Sequence, residues 1–414
     1  MRAAVVTPYL PWPADTGGKL RSYYLIKGLA AQAEVDLYTV CYGSPPPAGG
    51  LLEFCRSVQI VPLTPMPHRQ QLIRHWIDKR PRSVRYFQDE QSLVTIRARL
   101  EEKYDLLICD EIAMASYFDN LHHHAQTPRV IMRQKIDYLH YRETAASRPV
   151  GMQRWLDALE AHRLQQYEER MMPSFQGTVV CSPEDGEIAA RQGCDLPVEV
   201  IVNGADVDYF VPNRQPDPEP TLLLLGTMHY QPNVDMVLYF FRTMYPQLRQ
   251  AIPTLQIFIV GHMPPPEINA LATVPGVTVT GSVADVRPYI NRSWLLAVPL
   301  RLGGGTRLKI IEAMAAKLPV VSTSVGAQGL ALFGNDAITL ADRPDDFVQS
   351  IVRLLQNPLL SAEQARQAHR IVQDHFSWQT LGNQYTKFCL RMAGNSPASP
   401  RHQPTPATVQ TNNG

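Results

Sequence analysis

The amino-acid sequence predicts an α/β protein made of two doubly wound parallel sheets in tandem. Strand-like and helix-like segments alternate along nearly the whole chain, which is typical of parallel strands covered by helices on both faces. The alternation stops at Val211–Pro220, where VPNRQPDPEP carries four prolines and no periodicity. Because 414 residues exceed one ordinary core, this break indicates a linker between two domains.

The first half of the chain supplies the first predicted sheet. Its apolar runs predict strands at Ala3–Val6, Val35–Val40, Val58–Val61, Leu106–Cys109, Arg129–Met132, Thr178–Cys181 and Val198–Val202. Helical spacing predicts helices at Leu20–Gln32, Leu93–Lys103, Met152–Met171 and Ile188–Gln192. We therefore expect a first domain over 1–210, followed by the linker 211–220.

A second series of the same kind follows the linker. It predicts strands at Thr221–Leu225, Leu255–Val260, Val277–Thr280, Trp294–Val298 and Val320–Ser322. Helices are expected at Asp235–Tyr245, Arg307–Ala316 and Trp378–Met392. The second domain is then 221–376. The helix 377–393 is expected to pack back on the first domain, and 394–414 to be disordered because it lacks apolar residues to bury.

Composition and charge exclude several classes of protein. The formal net charge is +1, so no overall field favours nucleic acid. No run of about 18 apolar residues is present to span a membrane, and the N-terminal MRAAVVTPYL suits a strand better than a signal peptide. The six cysteines are scattered, as expected for free thiols in a reducing cytosol. We therefore predict a cytoplasmic protein.

A run of three histidines is the one feature that suggests a metal. His122, His123 and His124 are consecutive, and consecutive side chains do not converge readily on one ion in regular structure. A loop tract is the simpler interpretation. We expect neither a metal site nor a bound cofactor.

A glycine-rich turn before a helix carries the strongest functional signal. In LRLGGGTRLKIIE, the glycines follow a predicted strand and Thr306 is placed to cap the helix, where amides bind anions. Arg307 and Lys309 add about two positive charges, which balances a pyrophosphate. Glu312 lies about 9 Å further along the helix, where it can accept hydrogen bonds from a ribose diol. The alternative is an ordinary turn with a Lys309–Glu312 surface pair.

The sequence resembles the GT-B glycosyltransferases of family 4, in particular a branch associated with bacterial exopolysaccharide gene clusters. The matching stretches of the second half are Gly226–Asp235, Ile259–Gly261, Val279–Ile290, Pro299–Thr323 and Gly326–Leu330. Weaker matches, in PADTGGKLRSYYL, VVCSPED and VNGADVDYF, extend the resemblance over about residues 1–390. It implies two Rossmann-like domains facing a cleft. It also implies transfer of a sugar from a nucleotide-diphosphate donor, with retention of configuration and without an essential metal.

The resemblance assigns the donor site to turns at the ends of strands. Gly226 and Thr227 would lie against the donor phosphates, Gly261 and Val283 beside the nucleobase, and Glu312 against the ribose. The donor-binding residues that it implies are Gly17, Gly18, Arg21, Gly226, Thr227, Gly261, Val283, Gly303, Gly304, Gly305 and Thr306.

The sequence also departs from the common family pattern. Many members carry two glutamates in this region, and Gly304 stands where the first would be, eight positions before Glu312. Many place an arginine and a lysine after the first strand of the second domain, where GTMHYQPN has neither. Arg307 and Lys309 are then the predicted substitutes, since a leaving pyrophosphate needs compensating charge. Gln134 stands where related chains have a histidine near the sugar.

Two acidic residues of the first domain are candidates for the acceptor side. Asp110 and Glu111 end the predicted strand LLICD at the cleft, where they can meet acceptor hydroxyls. A helix N-cap is the alternative for Asp110. For Gly17 and Gly18, the alternative to phosphate contact is a simple tight turn.

A basic stretch at 67–87 suggests where the acceptor is held. It contains Arg69, Arg74, Lys79, Arg80, Arg82 and Arg85 against the single acid Asp78, with apolar residues interleaved. Such a stretch can rest on an anionic membrane, where lipid-linked sugar acceptors are found. The alternative is a solvated loop and helix. The expected partners are thus a nucleotide-sugar donor, a saccharide or lipid-linked acceptor and the inner membrane face, with no nucleic acid.

Two other functions fit the same architecture. A nucleotide-sugar epimerase would form product without any acceptor, and a degenerate binding protein would hold the nucleotide sugar without chemistry. The missing glutamate at Gly304 leaves the second alternative open.

Overall fold

The computed structural model describes residues 1–65, 78–119, 121, 127–191, 196–302, 307–330 and 337–394. Within them the chain forms a seven-stranded and a six-stranded parallel sheet, which confirms the predicted fold class. The first sheet contains β1 (Arg2–Thr7), β2 (Glu34–Tyr42), β3 (Ser57–Leu63), β4 (Leu106–Asp110), β5 (Arg129–Met132), β6 (Gly177–Val180) and β7 (Val198–Val200). The second contains β8 (Thr221–Leu225), β9 (Gln256–Val260), β10 (Val277–Gly281), β11 (Leu295–Val298), β12 (Val320–Ser322) and β13 (Thr339–Leu340).

Helices cover both sheets. Those of the first half are α1 (Gly17–Ala30), α2 (Arg82–Tyr86), α3 (Glu90–Leu100), α4 (Asp137–Ser147), α5 (Met152–Met171) and α6 (Pro183–Arg191). Those of the second half are α7 (Gln231–Thr243), α8 (Tyr245–Ala251), α9 (Pro266–Asn269), α10 (Arg287–Arg292), α11 (Leu308–Ala315), α12 (Pro344–Gln356), α13 (Pro358–Ile371) and α14 (Trp378–Met392). None of these described helices is both long and apolar enough to cross a bilayer.

The strand order places a switch point in each sheet. The first sheet runs β3-β2-β1-β4-β5-β6-β7 and the second β10-β9-β8-β11-β12-β13. The order therefore reverses direction beside β1 in the first sheet and beside β8 in the second. In doubly wound sheets, ligands bind outside the carboxyl ends of the strands at such points. The turns that begin at Tyr9 and at Gly226 lie there.

The central strands are buried on both faces. Ala4 and Val6 of β1 belong to one apolar cluster, whereas Ala3 and Val5 belong to another on the opposite face. Alternate side chains of a strand point to opposite faces, so a strand covered on both sides needs a continuous apolar run. This requirement explains why Arg2–Thr7 reads RAAVVT rather than alternating with polar residues.

The connection between the sheets is attached to the second one. Residues 211–220 contain no helix or strand. Arg214 donates hydrogen bonds to the carbonyl oxygens of Lys317 (2.8 Å) and Ser293 (2.5 Å), and the Gln215 amide donates to the Asn291 carbonyl (3.0 Å). These bonds hold the connection against the amino-terminal edge of the second sheet, away from the cleft.

The last helix, α14, lies on α1 of the first domain. Gly28 and Gly382 bring the two backbones into contact, since a Cβ placed on Gly28 would lie 2.7 Å from the Gly382 Cα. Trp378 stacks on Tyr24 of α1, with ring centroids 5.2 Å apart. The predicted disordered tail lies outside the described residues, apart from its first residue, Gly394.

Candidate functional site

The two domains meet where the turn after β1 faces the start of α11. A Cβ placed on Gly17, the first residue of α1, would lie 3.2 Å from Cδ1 of Leu308, the first residue of α11. The absence of a side chain at Gly17 therefore lets the two helix ends approach across the cleft. This close approach is specific to Gly17, whereas Gly18 turns toward its own domain.

On the second domain, the Lys309 ammonium lies against the turn after β8. Lys309 Nζ donates a 2.8 Å hydrogen bond to Asn233 Oδ1, while Asn233 Nδ2 donates to the Thr227 carbonyl (2.9 Å). A Cβ on Gly226 would lie 2.8 Å from Lys309 Nζ, and one on Gly261 would lie 1.7 Å from the Gly226 carbonyl oxygen. Only glycine fits at these two strand ends. The structure thus brings together four of the predicted residues, Gly226, Thr227, Gly261 and Lys309. Asn233, which was not predicted, joins Lys309 to the turn by hydrogen bonds.

The charge of Lys309 has a neutral partner. Among the described residues its ammonium donates only to the Asn233 amide and forms no ion pair within 4.0 Å. Burial lowers the pKa of Lys309 to about 7, the Arg307 guanidinium acts in the same direction, and Glu312 opposes both. A half-buried cation without a counterion is a site that a bound anion would stabilise.

Glu312 lies one turn further along α11. Its carboxylate is half-buried, and it accepts no hydrogen bond from the residues that the structure describes. Burial raises the pKa of Glu312 to about 7, against the opposing charge of Lys309. Burial and the charge of Asp285 raise the pKa of Tyr209, and the Glu312 carboxylate adds to this rise. Its oxygens are therefore available to a ligand with hydroxyl groups.

The cap of this helix differs from the prediction. α11 begins at Leu308 with Arg307 at the N-cap position, one residue later than predicted. Arg307 is half-buried, and burial lowers its pKa. Glu312 is consequently five residues beyond the cap rather than six. Gly303, Gly304, Gly305 and Thr306 lie outside the described residues.

The turns after β9 and β10 form the next part of the cleft edge. Val283 is half-buried and packs on the core of the second domain. His262 and Ser282, which follow the two strands, are joined by a 2.6 Å hydrogen bond between Nδ1 and Oγ. The ring of His229, after β8, meets His262 edge-on at 5.9 Å. The sequence offered a signal for these residues, since each lies next to a predicted strand end.

On the first domain, Gln134 closes over the turn after β1. Its Nε2 donates to the Tyr9 hydroxyl at 2.7 Å and to the Gly18 carbonyl at 3.3 Å. A Cβ on Gly18 would lie 2.6 Å from both Gln134 Oε1 and the Tyr9 hydroxyl. Gly18 is thus required for this packing. Tyr9 was not predicted, because nothing in its local sequence links it to Gln134.

The predicted acidic pair lies at the end of β4. Asp110 is buried and accepts a 2.5 Å hydrogen bond from Ser22 Oγ, and burial raises its pKa to about 6. It is not a helix N-cap, because Glu111 holds that position before the short 3-10 helix Ile112–Phe118. Glu111 has a positive φ of 74°. Burial, together with the charges of Asp137 and Asp110, raises the pKa of Glu111.

The structure corrects the role expected for Arg21. Its side chain is 2% exposed, and its guanidinium donates to the carbonyl oxygens of Val180 (3.3 Å), Ile201 (2.5 Å) and Val202 (3.2 Å). These bonds tie α1 to the ends of β6 and β7. Arg21 is therefore committed to the backbone of its own domain and does not reach a phosphate in the cleft.

The described side chains form no cluster that resembles a metal site. Within the described ranges, no three His, Cys, Asp or Glu side chains are placed to hold an ion together. His122, His123 and His124 lie outside them.

A family model supports the resemblance for the second domain. Residues 219–357 match the model of the group 1 glycosyl transferases, and this range includes Gly226, Lys309 and Glu312. A curated relative, glycosyltransferase 1 domain-containing protein 1 from Xenopus tropicalis, is 26% identical over 159 residues. That alignment covers 37% of this chain and 46% of the relative, so the chain spans about half the length of the curated relative it matches.

Solved structures match over nearly the whole chain, at low identity. Sucrose-phosphate synthase from Thermosynechococcus elongatus has a TM-score of 0.68 at 18% identity and covers 96% of this chain and 100% of its own. HepE from Anabaena in complex with UDP has a TM-score of 0.64 at 14% identity, and the match covers 94% of this chain and 99% of HepE. WaaG, a glycosyltransferase involved in lipopolysaccharide biosynthesis, has a TM-score of 0.61 at 15% identity, and the match covers 94% of this chain and 99% of WaaG. These matches establish the GT-B fold.

Proposed function

We propose that this chain is a glycosyltransferase that moves a sugar from a nucleotide-diphosphate sugar to a saccharide or lipid-linked acceptor. The observation that carries the proposal is the half-buried Lys309 ammonium, held at Gly226 by a neutral amide, with the Glu312 carboxylate one turn beyond it. A pyrophosphate matches the cation and a ribose matches the carboxylate. The group 1 family match of the second domain supports the same assignment.

The donor would lie between the two facing turns. Its pyrophosphate would rest on Gly226, with Lys309 and Arg307 compensating the charge that develops as the nucleoside diphosphate leaves. Gly17 would approach the phosphates from the opposite side, because it has no side chain to fill the space. The two cations would supply the charge stabilisation that a divalent ion supplies in other transferases, so the proposed reaction needs no metal.

We further propose that the transferred sugar is a hexose and that its configuration is retained. With the acceptor attacking from the face that the diphosphate leaves, a donor phosphate oxygen can take the acceptor proton, and no strong protein base is needed. Asp110, Glu111 and Asp137 border the first-domain side of the cleft and would orient acceptor hydroxyls. Tyr9 and Gln134 would shape the space for the sugar between them and the second domain.

The biological setting is also a proposal. We assign the chain to the family 4 branch associated with exopolysaccharide synthesis, acting in the cytoplasm at the inner membrane face. The Anabaena relative was solved with UDP, UDP-glucose and glucose, and TarM with UDP and α-GlcNAc-glycerol, which supports a nucleotide sugar and a saccharide as the two substrates. Of the basic stretch 67–87, residues 78–87 are described, and we retain the whole stretch as a candidate membrane contact.

The sharpest test of the donor site uses the ribose hydroxyls. UDP and GDP sugars are first screened by thermal shift, since a ligand of the folded form raises its melting temperature. The better nucleotide is then compared with its 2′-deoxy form by calorimetry. We expect the ribose form to bind about 10- to 100-fold more tightly, because a hydrogen bond to a charged group contributes about 1.5–3 kcal/mol.

Glu312→Gln should reduce this preference to less than about threefold, whereas the exposed control Glu187→Gln should keep it. An unchanged preference in Glu312→Gln would refute the ribose assignment, and the absence of any stabilising nucleotide would refute the proposed function. Acceptor-dependent release of nucleoside diphosphate would then establish transfer. Product formed without acceptor would indicate an epimerase instead, and binding without turnover a binding protein.

A further inference from the structure

The two-helix hairpin formed by α4 and α5 extends beyond the first sheet. α4 starts directly after the carboxyl end of β5, packs along α5, and α5 returns the chain to the start of β6. α5 has 20 residues and is about 30 Å long, whereas the four-residue β6 spans about 13 Å. About half of α5 therefore projects past the cleft-side edge of the sheet, and the turn 148–151 is the far end of this projection.

Large apolar side chains are exposed at this far end, which we call the hairpin tip (residues 148–155). Val150 is 91% exposed, Met152 73% and Trp155 47%. A single exposed apolar residue is ordinary on a protein surface. Three of them within six residues, at the end of a projecting element, are characteristic of a surface that another apolar phase covers.

The tip itself carries two basic residues and no acidic one, although one of the two is paired with an acid just beyond the tip. Residues 144–156 contain Arg148 and Arg154 and no acidic residue. Arg148 pairs with Asp157 (2.7 Å) at the side of the tip, yet its side chain remains 45% exposed. Arg154 is exposed and lies between Met152 and Trp155 in the sequence.

Further cations lie behind the tip on the same hairpin. The amides of Arg82 and Ser83 donate to the Glu160 carboxylate of α5 at 3.0 and 2.9 Å, which fixes the basic segment 78–87 against the hairpin. Lys79 and Arg82 are exposed there. Glu160 is eight residues after Met152, about 12 Å along α5. The apolar tip is therefore followed, at that depth, by two exposed cations, Lys79 and Arg82.

We propose that the hairpin tip inserts into the surface of an anionic phospholipid bilayer. Interfacial protein segments bury apolar side chains about 5–10 Å into the boundary between headgroups and acyl chains, so Val150, Met152 and Trp155 would lie there while Lys79 and Arg82 remain level with the lipid phosphates. Tryptophan suits this position, because its large ring is apolar and is enriched at membrane–water interfaces. The charge of the surface selects acidic lipid over a second copy of this chain.

This placement has a consequence for the acceptor. The base of the hairpin is Asp137, whose charge acts on Glu111 at the end of β4. α4 has 11 residues, so the acceptor side of the cleft lies about 16 Å from the tip. A lipid-linked acceptor could then present its sugar or phosphate to the cleft without leaving the bilayer. This last step rests on the proposed function, whereas the membrane binding does not.

The proposal is tested by sedimentation of the full chain with vesicles of phosphatidylcholine alone or mixed with phosphatidylglycerol. We expect binding to the mixed vesicles, and at least about tenfold weaker binding by the triple variant V150S/M152S/W155S. The matched control V94S/L359S removes two equally exposed apolar residues elsewhere, 66% and 85% exposed, and should bind like the wild type. Equal binding by both variants, or none by the wild type, overturns the proposal.

A second measurement reports the depth of Trp155 directly. Because Trp76 lies in the other candidate membrane contact, 67–87, the measurement starts from W76F. Vesicles with brominated acyl chains should quench the fluorescence of W76F, and W76F/W155F should lose that quenching while still sedimenting with the vesicles. Quenching that persists in W76F/W155F contradicts insertion of the tip. A dimer in solution that the triple variant dissociates would assign the tip to self-association instead. The nucleotide-sugar thermal shift, measured without vesicles, shows separately whether the donor site is intact.

Discussion

At the scale of single residues, the candidate site depends on a cation that forms no ion pair with the described part of the chain. A methionine at position 309 would be easier to bury than Lys309. Among the described residues, the Lys309 ammonium has only the Asn233 amide as a hydrogen-bond acceptor. A charge kept in such surroundings costs stability, and the usual reason to retain it is a ligand that is absent from the free protein. Function and stability should therefore respond to its removal in opposite directions.

Replacement of Lys309 tests this opposition. Lys309→Met should weaken binding of the nucleotide sugar by about 10- to 100-fold, since a charge-assisted hydrogen bond contributes about 1.5–3 kcal/mol. The melting temperature of the free protein should stay unchanged or rise. Lys387→Met, at an exposed position of α14, is the matched control and should alter neither quantity. A melting temperature that falls with unchanged affinity would make Lys309 a structural residue.

The pKa values of the pair predict how binding depends on pH. Lys309 binds phosphate as the cation, and its pKa of about 7 means that the charged fraction falls as pH rises above that value. Glu312 accepts hydroxyls best as the carboxylate, and its pKa of about 7 means that this form is lost as pH falls below it. Affinity for a nucleotide sugar, whose diphosphate does not titrate in this range, should therefore be greatest near pH 7.

Calorimetric titrations between about pH 5.5 and 9 would check this profile, with a change of up to about tenfold per pH unit on either side. Lys309→Arg should remove the decrease at high pH, because arginine stays charged, and Glu312→Gln should remove the decrease at low pH. A profile that is flat in the wild type would show that neither group titrates near neutrality.

Which of these residues the sequence could predict depends on whether their signal is local. Lys309 and Glu312 belong to one motif, so their spacing along a helix was enough to propose a shared ligand. Asn233 and Tyr9 act through partners 76 and 125 residues away in the chain, and no local pattern encodes such contacts. Arg21 was misassigned for the related reason that its position near Gly18 gave no information on the carbonyl oxygens that surround its guanidinium.

At the scale of elements, prediction succeeded where a strand is a buried apolar run with polar ends. Arg129–Met132, Thr221–Leu225 and Val320–Ser322 have the predicted bounds. The two-residue β13 was not predicted, because two residues carry no periodicity. The start of α11 was misplaced, since a threonine suits an N-cap by composition although the backbone turns into the helix only after Arg307.

The contact between α1 and α14 gives a test at this scale. Gly28→Val should lower the free energy of unfolding by about 1–3 kcal/mol, because the new side chain meets backbone rather than a movable side chain. The shift would be read from the midpoint of urea denaturation. Gly151→Ala adds a Cβ that meets nothing within 4 Å and should change stability by less than about 0.5 kcal/mol. Equal midpoints for both variants would contradict the packing of the two helices.

At the scale of the whole molecule, the cleft requires that two domains meet at the Gly17–Leu308 approach. Gly17→Val should hold them slightly apart and lower kcat/KM by about 10- to 100-fold, since misplacing reacting groups by about 1 Å has effects of this size. Leu308→Ala in the same chain makes room for the valine and should restore most of the activity. The melting temperature should change little in both variants. Failure of the second substitution to restore activity would show that the loss has another origin.

The position of α14 on the first domain has one more consequence. The chain crosses between the domains twice, once near Ala205 and again near Ser377, and these two crossings pair with each other in a parallel bridge. A single cut in the exposed connection 211–220 would therefore leave two fragments that stay associated, since the carboxyl-terminal fragment carries α14 and α14 remains seated on α1. The same double tether would favour a rotation of the domains about the paired crossings over their separation along the cleft.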